Sequence, residues 1–325
     1  MTRGVSLEVH YVPASSYDEL HSASVLGIVD YGGVTEVCQA LPVISVPMPQ
    51  LNGDPLLEVW RANSITLAQR GNIRFAESDE VLMGCIEEPA AQLERATYNA
   101  MANILEFVRK RRYPHLLRIW NYFPGINESE AGMERYKRFC VGRHQAFSER
   151  GQVFTRDLPA ASAVGSKAGN LLIYFLAAKS PGSPLENPRQ VAAWRYPAQY
   201  SPKSPAFARG MLAKIDGETQ LYVSGTASIV GHESTHVNDV AGQLDETLTN
   251  IDSLIAAAAT RHDIAMDRSH LTLMKVYLRR AQDYRLTRQK LEREMGLDFP
   301  ILYLQADICR GDLLLEIEGL ACLNR

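Results

Sequence analysis

Two stretches of this chain read with the same order of elements, and that repetition constrains the fold more than any single segment. A helical pattern over Ala90–Arg111 carries Ala96, Ala100, Asn103 and Ile104; a second, over Asp239–Ala259, carries Gln243, Thr247, Asn250 and Ile251 at the same spacing. Each is followed by a strand pattern, Leu116–Phe123 and Leu273–Leu278, and then by another helix, Glu128–Phe147 and Ala281–Met295. Each half closes on a glycine, a polar residue and an apolar strand, Gly169–Leu176 against Gly311–Glu318, which sets Tyr174 opposite Glu316. A β-β-α-β-α-β unit present twice predicts an α+β protein whose helices pack on one face of each mixed sheet. The expected division is an N-terminal unit over 1–178, a Pro- and Ser-rich linker and site loop over 179–210, and a C-terminal unit over 211–325. Only the second unit keeps the carboxylate, so the first reads as scaffold and the second as the active copy. The first 57 residues read as strands and turns, with Val25–Val29 and Leu41–Val46 as short strands.

The closing strand is unusual. Alternation over Asp312–Ala321 puts Glu316 and Glu318 on one face and Leu313, Leu315 and Ile317 on the other. A carboxylate in a partly apolar strand costs free energy unless something uses it, which makes Glu316 a candidate proton donor.

Composition narrows the function. At 325 residues, 46% hydrophobic and 22% charged, the chain can bury a full core. A net charge of -3 gives no reason to expect nucleic acid or an anionic membrane as partner. Five cysteines without a CxxC pair fit a reducing cytosol. The N-terminal ten residues carry no apolar leader, and the longest apolar run, near Leu254–Ala259, is too short to span a bilayer. The expectation is a soluble cytoplasmic protein whose local arginine clusters can bind a small anion.

Several motifs have plainer readings beside their functional ones. His232-Glu-Ser-Thr-His236 matches the zinc-protease pattern, but that pattern works mid-helix, and here the helix begins after it, near Asn238 or Asp239. A polar turn capping that helix is the preferred reading. Ser224-Gly-Thr-Ala-Ser228 follows a strand and lets a backbone approach a ligand at Gly225, yet it meets no nucleotide-binding motif; a tight turn explains it equally. Basic and aromatic residues cluster at Arg135–His144, Trp194–Pro197 and Phe207–Arg209. Such runs are usually solvated faces. Here they lie beside Gly and Pro in segments of low periodicity, as two carboxylate clamps would require. Cys309 is by base rate a small buried hydrophobe, but it stands seven residues before Glu316.

Leu221–Gly225, the helix with Gln243, Thr247, Asn250 and Ile251, and the closing Leu-Glu-Ile-Glu-Gly-Leu-Ala together resemble the YjgF/RidA superfamily. Asn121–Asn127, Arg135–Phe147, Ser204–Arg209, Ser224–His236 and Cys309–Asp312 resemble more specifically the chorismatases, the FkbO-like family that includes 3-hydroxybenzoate synthases. The likeness runs over roughly residues 58–322 and is greatest to the branch tied to xanthomonadin pigment and ubiquinone precursors.

The resemblance implies two RidA-like (chorismate-mutase-like) units and cleavage of chorismate to pyruvate and a ring product, without metal or organic cofactor. Glu316 matches the site glutamate of the superfamily. Cys309 falls where hydroxybenzoate-forming members carry cysteine, which implies 3-hydroxybenzoate, with 4-hydroxybenzoate as a possible companion. FkbO-type members instead hydrolyse chorismate to a dihydroxycyclohexadiene carboxylate. The chemistry suits the residues: an enolpyruvyl ether breaks when its methylene is protonated, and two substrate carboxylates need cations. Tyr136, Arg143, Arg195, Arg209 and Tyr222, with Ser224 and Gly225 at the strand end, are the expected substrate-binding set. A RidA-like imine deaminase and a non-catalytic small-acid binding protein are the alternatives, and a monomer or a homotrimer is expected.

Overall fold

The computed structural model describes residues 7–20, 24–33 and 42–323. Cys38 and the first residue of the strand expected at Leu41–Val46 lie outside the described residues. Three sheets surround one core. The first is formed by β1 (Glu8–Pro13), β2 (Val25–Asp30), β3 (Val43–Ser45) and β4 (Leu56–Arg61), in the order β1-β4-β2-β3. The second contains β5 (Thr66–Arg70), β6 (Ile73–Glu77), β7 (Val81–Glu88) and β8 (His115–Pro124). A two-residue hairpin follows, β9 (Ser129–Glu130) and β10 (Met133–Glu134), and then β11 (Ala160–Ser166) and β12 (Leu171–Ala178) complete the sheet in the order β11-β8-β12-β7-β6-β5. The third contains β13 (Ser183–Leu185), β14 (Gly210–Ile215) and β15 (Glu218–Thr226). After a small hairpin, β16 (Ile229–Val230) and β17 (Glu233–Ser234), come β18 (Leu271–Leu278), β19 (Ile301–Gln305) and β20 (Leu315–Cys322), in the order β13-β14-β15-β20-β18-β19.

The second and third orders are the same topology read from opposite ends, with one parallel pair each, β11–β8 and β18–β19. Helices α1 (Leu93–Arg111) and α2 (Arg135–Glu149) cover the outer face of the second sheet, and α3 (Val240–His262) and α4 (Tyr284–Met295) that of the third. The inner faces of all three sheets share a single apolar cluster that includes Trp60, Trp120, Tyr174, Tyr222 and Leu320. Alternation therefore separates each strand into a helix-facing and a core-facing row. On β20, Leu315 and Ile317 pack beneath the α3–α4 layer, whereas Leu320 and Cys322 face the core.

The registers correct one correspondence between the copies. Tyr174 lies across from Trp120, and Glu318 across from Lys275. Trp120 Nε1 donates to Glu318 Oε1 at 2.8 Å, and Lys275 Nζ donates to the Tyr174 hydroxyl at 3.3 Å, two contacts related by the pseudo-symmetry. Tyr122 and Tyr277, across from Leu172 and Glu316, meet each other at 2.7 Å. Tyr174 is thus the counterpart of Glu318, and Leu172 that of Glu316, a shift of two residues from the sequence alignment. The carboxylate is still confined to the second copy.

Element boundaries differ where local signals are weak. The helix expected from Glu128 begins at Arg135, because Ala131 and Gly132 take left-handed φ values of 48° and 80° and turn the β9–β10 hairpin instead. The α3 start is as expected: Asp239 caps it, accepting from the Ala241 and Gly242 amides. Residues 179–210 form an ordered loop with β13 inside it. Among the described residues, no helix is long and apolar enough to cross a membrane.

Candidate active site

A cavity of about 270 Å³ opens between α2, the β11 and β15 strands, the 196–209 loop and the chain entering β20. Helix α2 supplies Tyr136, Phe139, Cys140 and Arg143 to its wall, a stripe at i, i+3, i+4 and i+7. Gly142 on the opposite side lets α2 approach α1 so closely that a Cβ would overlap the Glu94 carbonyl. Cys309, Arg310 and Glu316 enter from the third sheet.

Glu316 is 4% exposed. Burial first, and the neighbouring Glu318 charge second, push its carboxyl up to about 8, against partial opposition from Arg118 and Arg209. A protonated carboxyl at neutral pH follows. Glu318 behaves oppositely. Burial pushes it up, but Lys275 and Arg118 outweigh burial and hold it below the usual carboxylate range. Its Oε2 accepts from Arg118 at 2.7 Å and from Ser162 Oγ at 2.5 Å; its Oε1 accepts from Trp120 at 2.8 Å and Lys275 at 2.9 Å. Two carboxyls on one strand face thus hold different protonation states, the arrangement by which a fold separates an acid from a fixed charge.

The strand β15 is irregular beside Glu316: its pairing with β20 shifts register between Val223 and Thr226. The bulge brings Gly225 against the Glu316 carboxyl, where a Cβ would overlap the Oε1 oxygen. The Gly225 amide donates to Ser162 Oγ at 3.0 Å.

Three arginines line the cavity, and each keeps one buried nitrogen without a hydrogen-bond partner. Arg143 donates through Nε to the Ala206 carbonyl at 3.0 Å and leaves one terminal nitrogen unused. Burial brings its guanidinium down to about 10, still a cation at neutral pH. Arg209 donates to the Val191 carbonyl at 3.1 Å and the Tyr196 hydroxyl at 2.6 Å, leaving Nε unused. Arg310 donates to the His232 carbonyl at 2.8 Å and lies 4.0 Å over the Tyr200 ring, leaving one terminal nitrogen unused. Unpaired guanidinium donors around an enclosed space are what a dianionic ligand requires.

The thiols are not nucleophiles here. Burial first, and the Glu316 side chain next, push Cys309 up to about 12, and burial pushes Cys140 to about 12.

Of the residues expected from sequence, Tyr136, Arg143, Arg209, Gly225, Cys309 and Glu316 line the cavity. Three do not. Arg195 is exposed and stacks on Trp194, 4.4 Å from the ring, because the loop turns its side chain outward. Tyr222 lies on the core-facing row of β15, where its hydroxyl donates to Gln220 at 2.6 Å. Ser224 is fully buried beneath the wall: it accepts from the Ala161 amide at 2.9 Å and donates to the Ala208 carbonyl at 2.6 Å, tying β11 to the loop that leads into β14. The His232–His236 segment is a hairpin and turn, not a helix, so its two imidazoles share no helical face. His232 meets the Tyr200 hydroxyl at 3.1 Å, and His236 faces Glu246 at 3.6 Å. Among the described residues, no three His, Cys, Asp or Glu side chains are grouped to hold a metal.

Sequence reading missed Arg310, Ser162 and Tyr200. Arg310 was legible as the neighbour of Cys309. Ser162 was not, because β11 is a run of small residues without the β-branched signal of a strand.

The sequence profile described as "Chorismatase FkbO/Hyg5-like, N-terminal" matches residues 58–177. A protein named 3-hydroxybenzoate synthase from Streptomyces hygroscopicus is 35% identical over 311 residues, 91% of each chain. A protein named chorismatase from the same organism is 33% identical over 308 residues, 91% of this chain and 89% of its own. A crystal structure of a chorismatase at 1.08 Å resolution matches with a TM-score of 0.91 and 31% identity, covering 99% of this chain and 100% of that one.

Proposed function

The chain belongs to the FkbO/Hyg5-like chorismatase family, and from that premise we propose that it cleaves chorismate to pyruvate and 3-hydroxybenzoate with Glu316 as proton donor. The observation that carries the reading is a carboxyl held protonated near neutral pH inside a cavity whose three arginines each keep an unpaired donor.

In the proposed reaction the Glu316 carboxyl gives its proton to the enolpyruvyl methylene. The side chain becomes an oxocarbenium ion, and the ring C–O bond then breaks with its electron pair passing to oxygen, releasing pyruvate. The adjacent ring hydroxyl attacks the carbon being vacated and forms an arene oxide, and its proton returns to the Glu316 carboxylate. Opening of the arene oxide and loss of the ring hydrogen restore aromaticity, so chorismate equals pyruvate plus hydroxybenzoate in atoms and no redox partner is consumed. Arg143, Arg209 and Arg310 are the candidates for the two carboxylates, with Tyr136 against the ring. Such fixation supplies rate by positioning. Cys309 acts as a neutral thiol at the ring, steering the opening. The first unit, which has Leu172 in place of Glu316, is read as scaffold. A hydroxybenzoate product would suit the pigment- and quinone-type pathways that the resemblance implies.

Incubation with chorismate followed by chromatography tests the reading: equimolar pyruvate and 3-hydroxybenzoate are expected, and intact chorismate would overturn it. Cys309→Ala is expected to divert product toward the non-aromatic diol or 4-hydroxybenzoate. An unchanged product ratio would remove Cys309 from the ring chemistry.

A further inference from the structure

Glu318 belongs to a larger buried assembly that reaches away from the cavity. Lys275 on β18 contacts Glu318 at 2.9 Å and also Glu58, on β4 of the N-terminal sheet, at 2.6 Å. Glu58 further accepts from Trp60 Nε1 at 2.8 Å and from the Tyr31 hydroxyl at 3.3 Å. Arg118 on β8 closes the set at Glu318. All four charged residues are at most 5% exposed, and they join one member of the first sheet, one of the second and two of the third.

We propose that this Glu58–Lys275–Glu318–Arg118 network is the device that keeps a proton on Glu316, with Glu58 a positioning residue contributed by the N-terminal sheet. The proposal rests on the reading of Glu316 as proton donor. Two anions and two cations already balance, and both oxygens of Glu318 are saturated by four donors. A third carboxylate two residues along the same strand face finds no cation left to pair with inside the network. Every group facing Glu316 fits this balance. Glu318 on its own strand repels a second charge, and Arg118 is committed to Glu318. Tyr277 across the ladder, Tyr136 on α2 and Cys309 are neutral neighbours, each with its proton held by burial. Ser162 spends its hydroxyl hydrogen on Glu318. Arg209 and Arg310 stand on the cavity side, where substrate carboxylates would neutralise them. Through Glu58 the N-terminal sheet, which lies outside the repeated topology, is joined to the third sheet by a buried ion pair as well as by the shared apolar cluster.

Glu58→Gln removes one negative charge without touching the cavity, leaving the network with an excess cation. The ratio of kcat/KM for chorismate at pH 6 to that at pH 9 should rise about tenfold, because Glu316 now loses its proton at lower pH. Trp60→Phe removes a hydrogen bond to Glu58 but no charge and should leave the ratio where it is. A ratio unchanged in Glu58→Gln, or moved equally by Trp60→Phe, overturns the proposal and reduces the network to packing. Should Glu58→Gln fail to fold, Lys275→Met decides in the opposite sense: it leaves the network with an excess anion, so the same ratio should fall about fivefold, and an unchanged ratio overturns the proposal. The two readings fail separately. Turnover retained by Glu316→Gln ends the donor reading, whereas inactive Glu316→Gln with an unmoved Glu58→Gln profile ends the network alone.

Discussion

Glu316→Gln should lower kcat for chorismate by about 10²- to 10⁴-fold, the range supplied by a positioned general acid, while chorismate still binds. Glutamine matches the shape of the protonated carboxyl and fits the same space against Gly225, so packing is preserved and only the transferable proton is lost. The arginines are untouched, so affinity measured by calorimetry should change little. Loss of binding together with turnover would instead make Glu316 a binding group. Unchanged turnover would end its role as acid and favour the binding-protein reading.

Gly225→Ala should cost about 10²-fold in kcat, since a displacement of about 1 Å of a reacting group carries a penalty of that order. The reasoning is steric: the new Cβ would overlap the Glu316 carboxyl and approach Ser162 Oγ at 3.0 Å. Neither neighbour can give freely, because Ser162 is held by Arg118 and Glu318 and Glu316 is enclosed. Since the bulge already breaks the β15–β20 ladder here, the melting temperature should fall far less than the activity does. Full activity would show that Glu316 has room to move and that its placement is not critical.

The parts of this account that rest on local pattern were legible in the sequence. The two carboxyls of β20 share a face because strand alternation demands it, and the Asp239 cap starts α3 where a short polar side chain precedes an apolar helix. Tyr136 and Arg143 were legible as an aromatic and a basic candidate, whereas the helical stripe that adds Phe139 and Cys140 between them was not. What alternation does not say is which face of β15 meets the cavity, so the expectation of Tyr222 at the substrate fails: it packs between sheets. The strands Leu56–Arg61, Ile73–Glu77 and Val81–Glu88 were not legible, because short turns, not Pro-rich breaks, separate them. The buried network was invisible for a different reason. Glu58, Lys275 and Glu318 come from distant parts of the chain and meet only when three sheets close on one another, and none of them carries a local signature of its partners.

The central claim is that a neutral Glu316 gives a proton to chorismate, and the pH dependence of kcat/KM tests it most directly. A donor must be protonated to act. With its carboxyl raised to about 8, activity should hold through neutral pH and fall as pH rises through about 8. Glu318, held below the usual range, stays ionised across that window. Activity that instead rises with pH through the ordinary carboxylate range and stays high above pH 9 would mean that the working form is the carboxylate, and would contradict the account.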